Sequence, residues 1–196
     1  MTSPLVGVLA LQGDVREHVR MLEDLGARVR LVRRPEEVAS LAGIVLPGGE
    51  STVIDKLARA VGTADAIRTA IAEGMPVYGT CAGLILLADR LTDAAPGQQT
   101  FGGLDVTVQR NAFGGQQESF ETALPVPDLG PAPVAATFIR APVVVSAGPD
   151  VEPLARLADG RIVAVRQGAI LATAFHPEVT GERRFHRLFL DGVRAA

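Results

Sequence analysis

Residues 75–84, "MPVYGTCAGL", decide the fold. They read as a short buried strand, "MPVYG", that turns through Gly79-Thr-Cys-Ala-Gly83 into a helix running from Cys81 to Arg90. The same pairing recurs upstream. "PLVGVLAL" (residues 4–11) reads as a strand, and Val15 to Leu25 follows as a helix with Val15, Val19, Leu22 and Leu25 on one face, closing at Gly26. "ARVRLV" is a second strand, Pro35 to Leu41 a short helix and "GIVLPGG" a third strand, with helices over Ser51 to Val61 and Ala64 to Ala72. Alternating strands and helices imply an α/β fold: a three-layer, open, mostly parallel sheet with helices on both faces, of the flavodoxin-like kind.

Beyond Leu91 the pattern changes. "TDAAPGQQTFGG" is a loop, and "LDVTVQ", "VAATFI" and "PVVVSAG" are short runs separated by Pro and Gly. "RIVAVRQGAILATAF" reads as two strands joined around Gln167-Gly168, so the second half is expected to add antiparallel strands to the same core. A last helix, Gly181 to Val193, places Phe185, Leu188, Phe189 and Val193 on one face. The Pro-rich "LPVPDLGPAPV" is a possible linker, but the remainder of the chain is short for a separate domain, and one domain over residues 1–196 is expected.

A chain of 196 residues can bury about 70% of its unfolded surface. With 47% hydrophobic and 21% charged residues it reads as a soluble globular protein. The net charge of -3 and the absence of a basic stripe exclude a nucleic-acid reader. The single cysteine excludes an intrachain disulfide. The apolar run Leu5 to Leu11 stops at Gln12-Gly13-Asp14, too short for a signal peptide core or a membrane span, so a cytoplasmic location is expected.

That one cysteine sits at a strand-to-helix turn flanked by small residues, the setting of a nucleophile elbow. Helix N–H groups there favour thiolate over thiol. The competing reading is a small hydrophobe in the core. Of three histidines, His18 and His186 lie among charged helical neighbours and are expected on solvated faces. His176 ends the strand "AILATAF" in Phe175-His-Pro-Glu178, where strand alternation would send His176 and Glu178 to one side, a base with its orienting carboxylate. Pro47-Gly-Gly-Glu-Ser51 follows a strand and precedes a helix, so it shares the carboxyl edge of the sheet with Cys81. A glycine N–H of this loop, Gly49 being the candidate, and the Ala82 N–H could form an oxyanion hole. A phosphate loop is disfavoured because no GxxxxGK[ST] is present.

"LALQG", "LPGGES", "YGTCAGL", "RNAFG", "FIRAP" and "FHPE", in this order, resemble the class I glutamine amidotransferases, and among them the glutaminase subunits of pyridoxal 5'-phosphate synthase. The resemblance covers nearly the whole chain. It implies that Cys81 attacks the side-chain amide of L-glutamine, with His176 as general base and acid and Glu178 as its orienter. It implies glutamine binding by Gly49, Glu50, Ser51, Arg110, Ile139 and Arg140. It implies no cofactor and no metal. The implied partner is a (β/α)8-barrel synthase subunit that makes pyridoxal 5'-phosphate from ribose 5-phosphate, glyceraldehyde 3-phosphate and the released ammonia, in a multi-subunit hetero-complex. Glutaminase activity would be weak alone, since the loop near Gly48 and Gly49 is completed on docking. One departure is Gly115, where relatives often carry arginine. Two rivals remain: an amidotransferase or Cys-elbow hydrolase of the same fold serving another acceptor, and a non-catalytic regulatory subunit.

Overall fold

The computed structural model describes residues 3–113 and 119–196; Gly115 lies outside them. Strand and helix alternate through the first half: β1 (Leu5–Leu9), α1 (Val15–Asp24), β2 (Arg28–Val32), β3 (Gly43–Leu46), α2 (Ser51–Ala60), α3 (Thr63–Ala72), β4 (Val77–Thr80) and α4 (Ala82–Leu87). The second half holds β5 (Ala88–Leu91), β6 (Leu104–Gln109), β7 (Phe120–Leu124), β8 (Val134–Phe138), β9 (Val143–Ala147), β10 (Glu152–Arg156), β11 (Ile162–Gln167) and β12 (Ile170–Thr173), then α5 (Pro177–Thr180) and α6 (Arg184–Ala195). Among the described residues, ten strands form one mixed sheet. Its parallel part runs β2-β1-β3-β4-β12. From β12 the sheet continues antiparallel through β11, β9 and β6, with β5 parallel to β6 and β10 along β11. β7 and β8 form a separate antiparallel ribbon. The hairpin expected around Gln167-Gly168 is the β11–β12 pair, with Gly168 at φ 54°.

Side-chain alternation along β4 shows how the layers stack. Tyr78 and Thr80 point to one face, where Tyr78 meets Phe185 and Phe189 of α6 at ring-centroid distances of 6.5 and 6.1 Å, and Thr80 meets His18 of α1. Gly79 points to the other face, onto α4: a Cβ there would lie 2.6 Å from the Gly83 carbonyl carbon. A Cβ on Gly83 would in turn run into the Leu46 carbonyl of β3. The two glycines around Cys81 thus let α4 settle against two strands at backbone contact. The core is continuous across both halves of the chain, joining Val6, Ile44 and Val77 with Leu171, Phe175 and Phe185. Among the described residues no helix is long and apolar enough to cross a membrane.

Several element boundaries differ from expectation. The helix after Cys81 ends at Leu87, and Ala88–Leu91 is the strand β5; all six residues of α4 are buried, so the sequence carries no amphipathic period to mark its end. Pro35–Glu37 is a single 3-10 turn rather than a helix to Leu41. The last helix begins at Arg184, because Gly181 adopts a left-handed conformation (φ 71°) that ends α5.

Candidate active site

Cys81 joins β4 to α4 with φ 48° and ψ -100°. An L-residue rarely adopts such a backbone, which persists only where its surroundings hold it. Here the Cys81 N–H donates to the Thr173 carbonyl at 2.8 Å, tying the elbow to β12. As the first helical residue of α4, Ala82 has no intrahelical acceptor for its N–H.

β12 lies parallel to β4 with Thr173 opposite Thr80, so the chain leaving β12 reaches the edge occupied by Cys81. His176 stands there, 4% exposed. The strand has already ended at Thr173; His176 is the N-cap of α5, and Pro177, whose fixed φ suits a first helical residue, starts the turn. The expected pairing is present, but a helical turn makes it instead of strand alternation: His176 Nδ1 lies 2.7 Å from Glu178 Oε1. Asp14 Oδ2 approaches the same nitrogen at 3.4 Å. With Nδ1 engaged by carboxylates, Nε2 is the nitrogen left for proton exchange with Cys81. Burial opposes protonation of His176, but hydrogen bonding to Asp14, Cys81 and Glu178 and the charge of Cys81 outweigh it and push its pKa up to about 12. Burial raises the Glu178 carboxyl above its ordinary range, with His176 acting in the opposite sense. Asp14, His176 and Glu178 are also close enough to share a metal ion, their ligand atoms lying within 4.8 Å of one another. An ion bound there would take His176 Nδ1 away from Glu178.

The substrate-loop candidates converge on Cys81. One cleft, enclosing about 330 Å³ of space including open solvent, is lined by Gly49, Glu50, Ser51, Cys81, Ile85, Arg110, Asn111, Ile139 and Arg140. Every residue named from the sequence for glutamine binding is among them. Arg110, reading from its own context as a surface residue, keeps only 14% of its side chain exposed and lies 3.6 Å from Glu50. Gly48 offers no spare donor, since its N–H donates to Thr80 Oγ1 at 3.0 Å and its carbonyl accepts from the Asp14 N–H at 3.1 Å. Gly48 also packs so tightly that a Cβ on it would collide with His176 Cε1. The Gln12 side chain accepts from the Glu50 N–H at 2.7 Å and so fixes the far side of the loop. Cys81, Asn111 and Arg140 are the non-glycine residues with positive φ among those described, and all three line this cleft.

Sequence reasoning missed Gln12, Asp14, Thr80 and Asn111, whose roles come from contacts between distant elements. His18 and His186 are corrected outright: both are 0% exposed. Each continues a buried helical stripe, His18 with Met21 and Leu22, His186 with Phe189, Leu190 and Val193, and that spacing outweighs the charged neighbours on the other face.

A model of the SNO glutamine amidotransferase family matches residues 8–195. The chain belongs to this family. Among similar proteins, one from Clavibacter sepedonicus named pyridoxal 5'-phosphate synthase subunit PdxT is 66% identical, over 98% of this chain and 92% of its own. One of the same name from Leifsonia xyli subsp. xyli is 62% identical, over 97% and 96%. A crystal structure of a glutamine amidotransferase superposes with a TM-score of 0.89 at 48% identity, covering 96% of this chain and 98% of that one. A putative GMP synthase protein from Thermoplasma acidophilum shares the fold, with a TM-score of 0.71 at 18% identity over 100% and 96% of the two chains.

Proposed function

We propose that the chain hydrolyses L-glutamine to L-glutamate and ammonia through a Cys81 thioester, and passes the ammonia to a synthase subunit that makes pyridoxal 5'-phosphate. The observation that carries this reading is the meeting of Cys81, the His176–Glu178 pair and the cleft lined by Glu50, Ser51, Arg110 and Arg140 at one sheet edge. Membership of the amidotransferase family supports the reaction, and the relatives named as subunits of pyridoxal 5'-phosphate synthase support the pathway.

In this scheme Cys81 Sγ attacks the amide carbon while His176 Nε2 manages the proton. The N–H groups of Gly49 and Ala82 receive the developing oxyanion. Collapse of the tetrahedral species expels ammonia, which takes its proton from His176, and leaves a glutamyl thioester. Water, deprotonated by His176, attacks that thioester; glutamate departs and the thiol is restored. Glu178 keeps the imidazole in one tautomer throughout. Arg110 and Arg140 are assigned to the glutamine carboxylate, which a guanidinium fork suits, with Gly49, Glu50, Ser51 and Ile139 completing the pocket. We assign residues 1–196 to one amidotransferase domain that works in the cytoplasm. Its partner is a (β/α)8-barrel subunit using ribose 5-phosphate and glyceraldehyde 3-phosphate.

The deciding experiment measures glutamate release from glutamine by the purified chain, with and without the synthase subunit from the same source. Strong stimulation, lost in Cys81→Ala while docking persists, is the expected result. Wild-type turnover in Cys81→Ala overturns the thioester. Turnover indifferent to the synthase detaches the glutaminase from pyridoxal 5'-phosphate.

A further inference from the structure

The two buried histidines have no part in the steps above, yet one of them touches both arms of the site. His18 Nε2 lies 3.1 Å from Thr80 Oγ1 and 3.6 Å from Glu178 Oε1. Thr80 Oγ1 is the acceptor for the Gly48 N–H, so the same imidazole reaches the substrate loop through one hydroxyl and the triad through one carboxylate. On its other side, His18 Nδ1 lies 2.8 Å from His186 Nε2. His18, His186 and Thr80 are all fully buried.

A count of hydrogens fixes the direction of this chain. Burial, aided by the mutual influence of the rings, holds His18 neutral, and burial pushes His186 down to about 4, so each ring carries one N–H. Between His18 Nδ1 and His186 Nε2 one nitrogen must donate and the other accept. If His18 Nδ1 donated, His186 would carry its hydrogen on Nδ1, which is buried and has no partner among the described residues. His18 Nε2 would then present a lone pair to the Glu178 carboxylate. The opposite arrangement leaves only an acceptor unpartnered on His186 and directs the His18 Nε2–H at Thr80 and Glu178. An orphaned buried N–H is the rarer and costlier defect, so the second arrangement holds. It also turns an N–H rather than a lone pair toward Glu178 Oε1, the oxygen that His176 Nδ1 meets at 2.7 Å.

We propose that His18 is a positioning residue for the glutaminase reaction: locked in one tautomer by His186, it hydrogen-bonds Thr80, the anchor of the Gly48 loop, and sets its N–H edge against the Glu178 carboxylate, keeping loop and triad in register with each other. The proposal rests on the glutaminase reading above. The titratable groups facing His18 are His186 from α6, Tyr78 from β4, and His176 and Glu178 at the start of α5; Glu182 faces His186. Its position on α1 suits the task, because Asp14, one turn earlier at the N-terminus of that helix, contacts His176.

The test uses the full chain with its synthase partner and two readouts: steady-state glutamine hydrolysis, and the pH profile of Cys81 alkylation by iodoacetamide. His18→Phe is expected to lower kcat about 10- to 100-fold with KM within threefold, and to shift the alkylation midpoint by at least half a pH unit. His18→Gln, which can return a donor near the Nε2 position, is expected to recover most of kcat. His186→Phe, which touches neither triad nor loop, is expected to lower kcat about fivefold and shift the alkylation profile in the same direction as His18→Phe. A role confined to packing predicts lower thermal stability with unchanged kcat per folded site, unchanged profiles and no advantage of Gln over Phe; that result overturns the proposal. If His18→Phe does not fold, His186→Phe decides alone, and a wild-type kcat and profile in it overturns the proposal. Alkylation needs no turnover. A wild-type chain that releases no glutamate with or without the partner therefore refutes the glutaminase reading by itself, while unshifted profiles in the variants refute the positioning role.

Discussion

At the scale of single residues, the site depends on how firmly one imidazole is aimed. His176 is bonded by Glu178 at 2.7 Å and approached by Asp14 at 3.4 Å, so replacing Glu178 by Gln leaves the ring a poorer and less directional partner. Glu178→Gln is expected to lower glutamine turnover by about 10²- to 10⁴-fold, the range of a misdirected general base, while the melting temperature moves by only a few degrees. Turnover within threefold of wild type would contradict the role given to that carboxylate. Arg140→Ala removes the guanidinium we assign to the glutamine carboxylate and is expected to raise the glutamine KM by roughly 10- to 100-fold, leaving synthase docking unchanged in a pull-down or titration. Equal losses of both would sink its assignment. Cys81, His176 and Glu178 were legible in the sequence because each is a reactive residue type set among Gly and Pro. Thr80 and His18 were not, since what they do depends on β4, α1, α5 and α6 converging. Asn111 gave a faint signal, being one of the few residue types that tolerate its positive φ.

At the scale of elements, the placement of Cys81 rests on the closeness of α4 to β3 and β4. Gly83→Ala would drive a methyl group into the Leu46 carbonyl, and a central strand has no room to retreat. The expected loss is about 1–3 kcal/mol, read as a lower urea midpoint, together with reduced Cys81 reactivity. An unchanged midpoint would mean that α4 can lift off the sheet without cost. The α1–α6 contact makes a different prediction, in pH. Both histidines there are held neutral by burial, His186 down to about 4, whereas in the unfolded chain they protonate near the ordinary value of 6.5. Between pH 6.5 and about 4 the unfolded state therefore binds more protons, and stability falls as the pH is lowered through that window, by on the order of 3 kcal/mol for His186 alone. Urea midpoints measured across that range should fall less steeply in His186→Phe than in wild type, and parallel curves would contradict the burial account. The strand and helix alternation was readable because each element shows its own period. The α4–β5 boundary was hidden because a wholly buried helix shows none.

At the scale of the whole molecule, β12 joins the two halves: it belongs to the second half in sequence but lies between β4 and β11 in the sheet. The core is shared, so urea unfolding followed by far-UV circular dichroism and by Cys81 accessibility is expected to give one coincident transition. Two separated transitions would divide the chain into independent units. The parallel first half and antiparallel second half were both expected from the sequence, but the insertion of β12 beside β4 was not. Period and turn residues specify what an element is, and only long-range packing specifies its neighbour. That insertion also sets an order of events during synthesis. Pairing residues near 80 with residues near 173 spans the widest sequence separation of any strand pairing among the described residues, a slow kind of contact. Until that closure, Cys81 has emerged from the ribosome without the His176–Glu178 pair, so the candidate site comes into being only when nearly the entire polypeptide is available to enclose it.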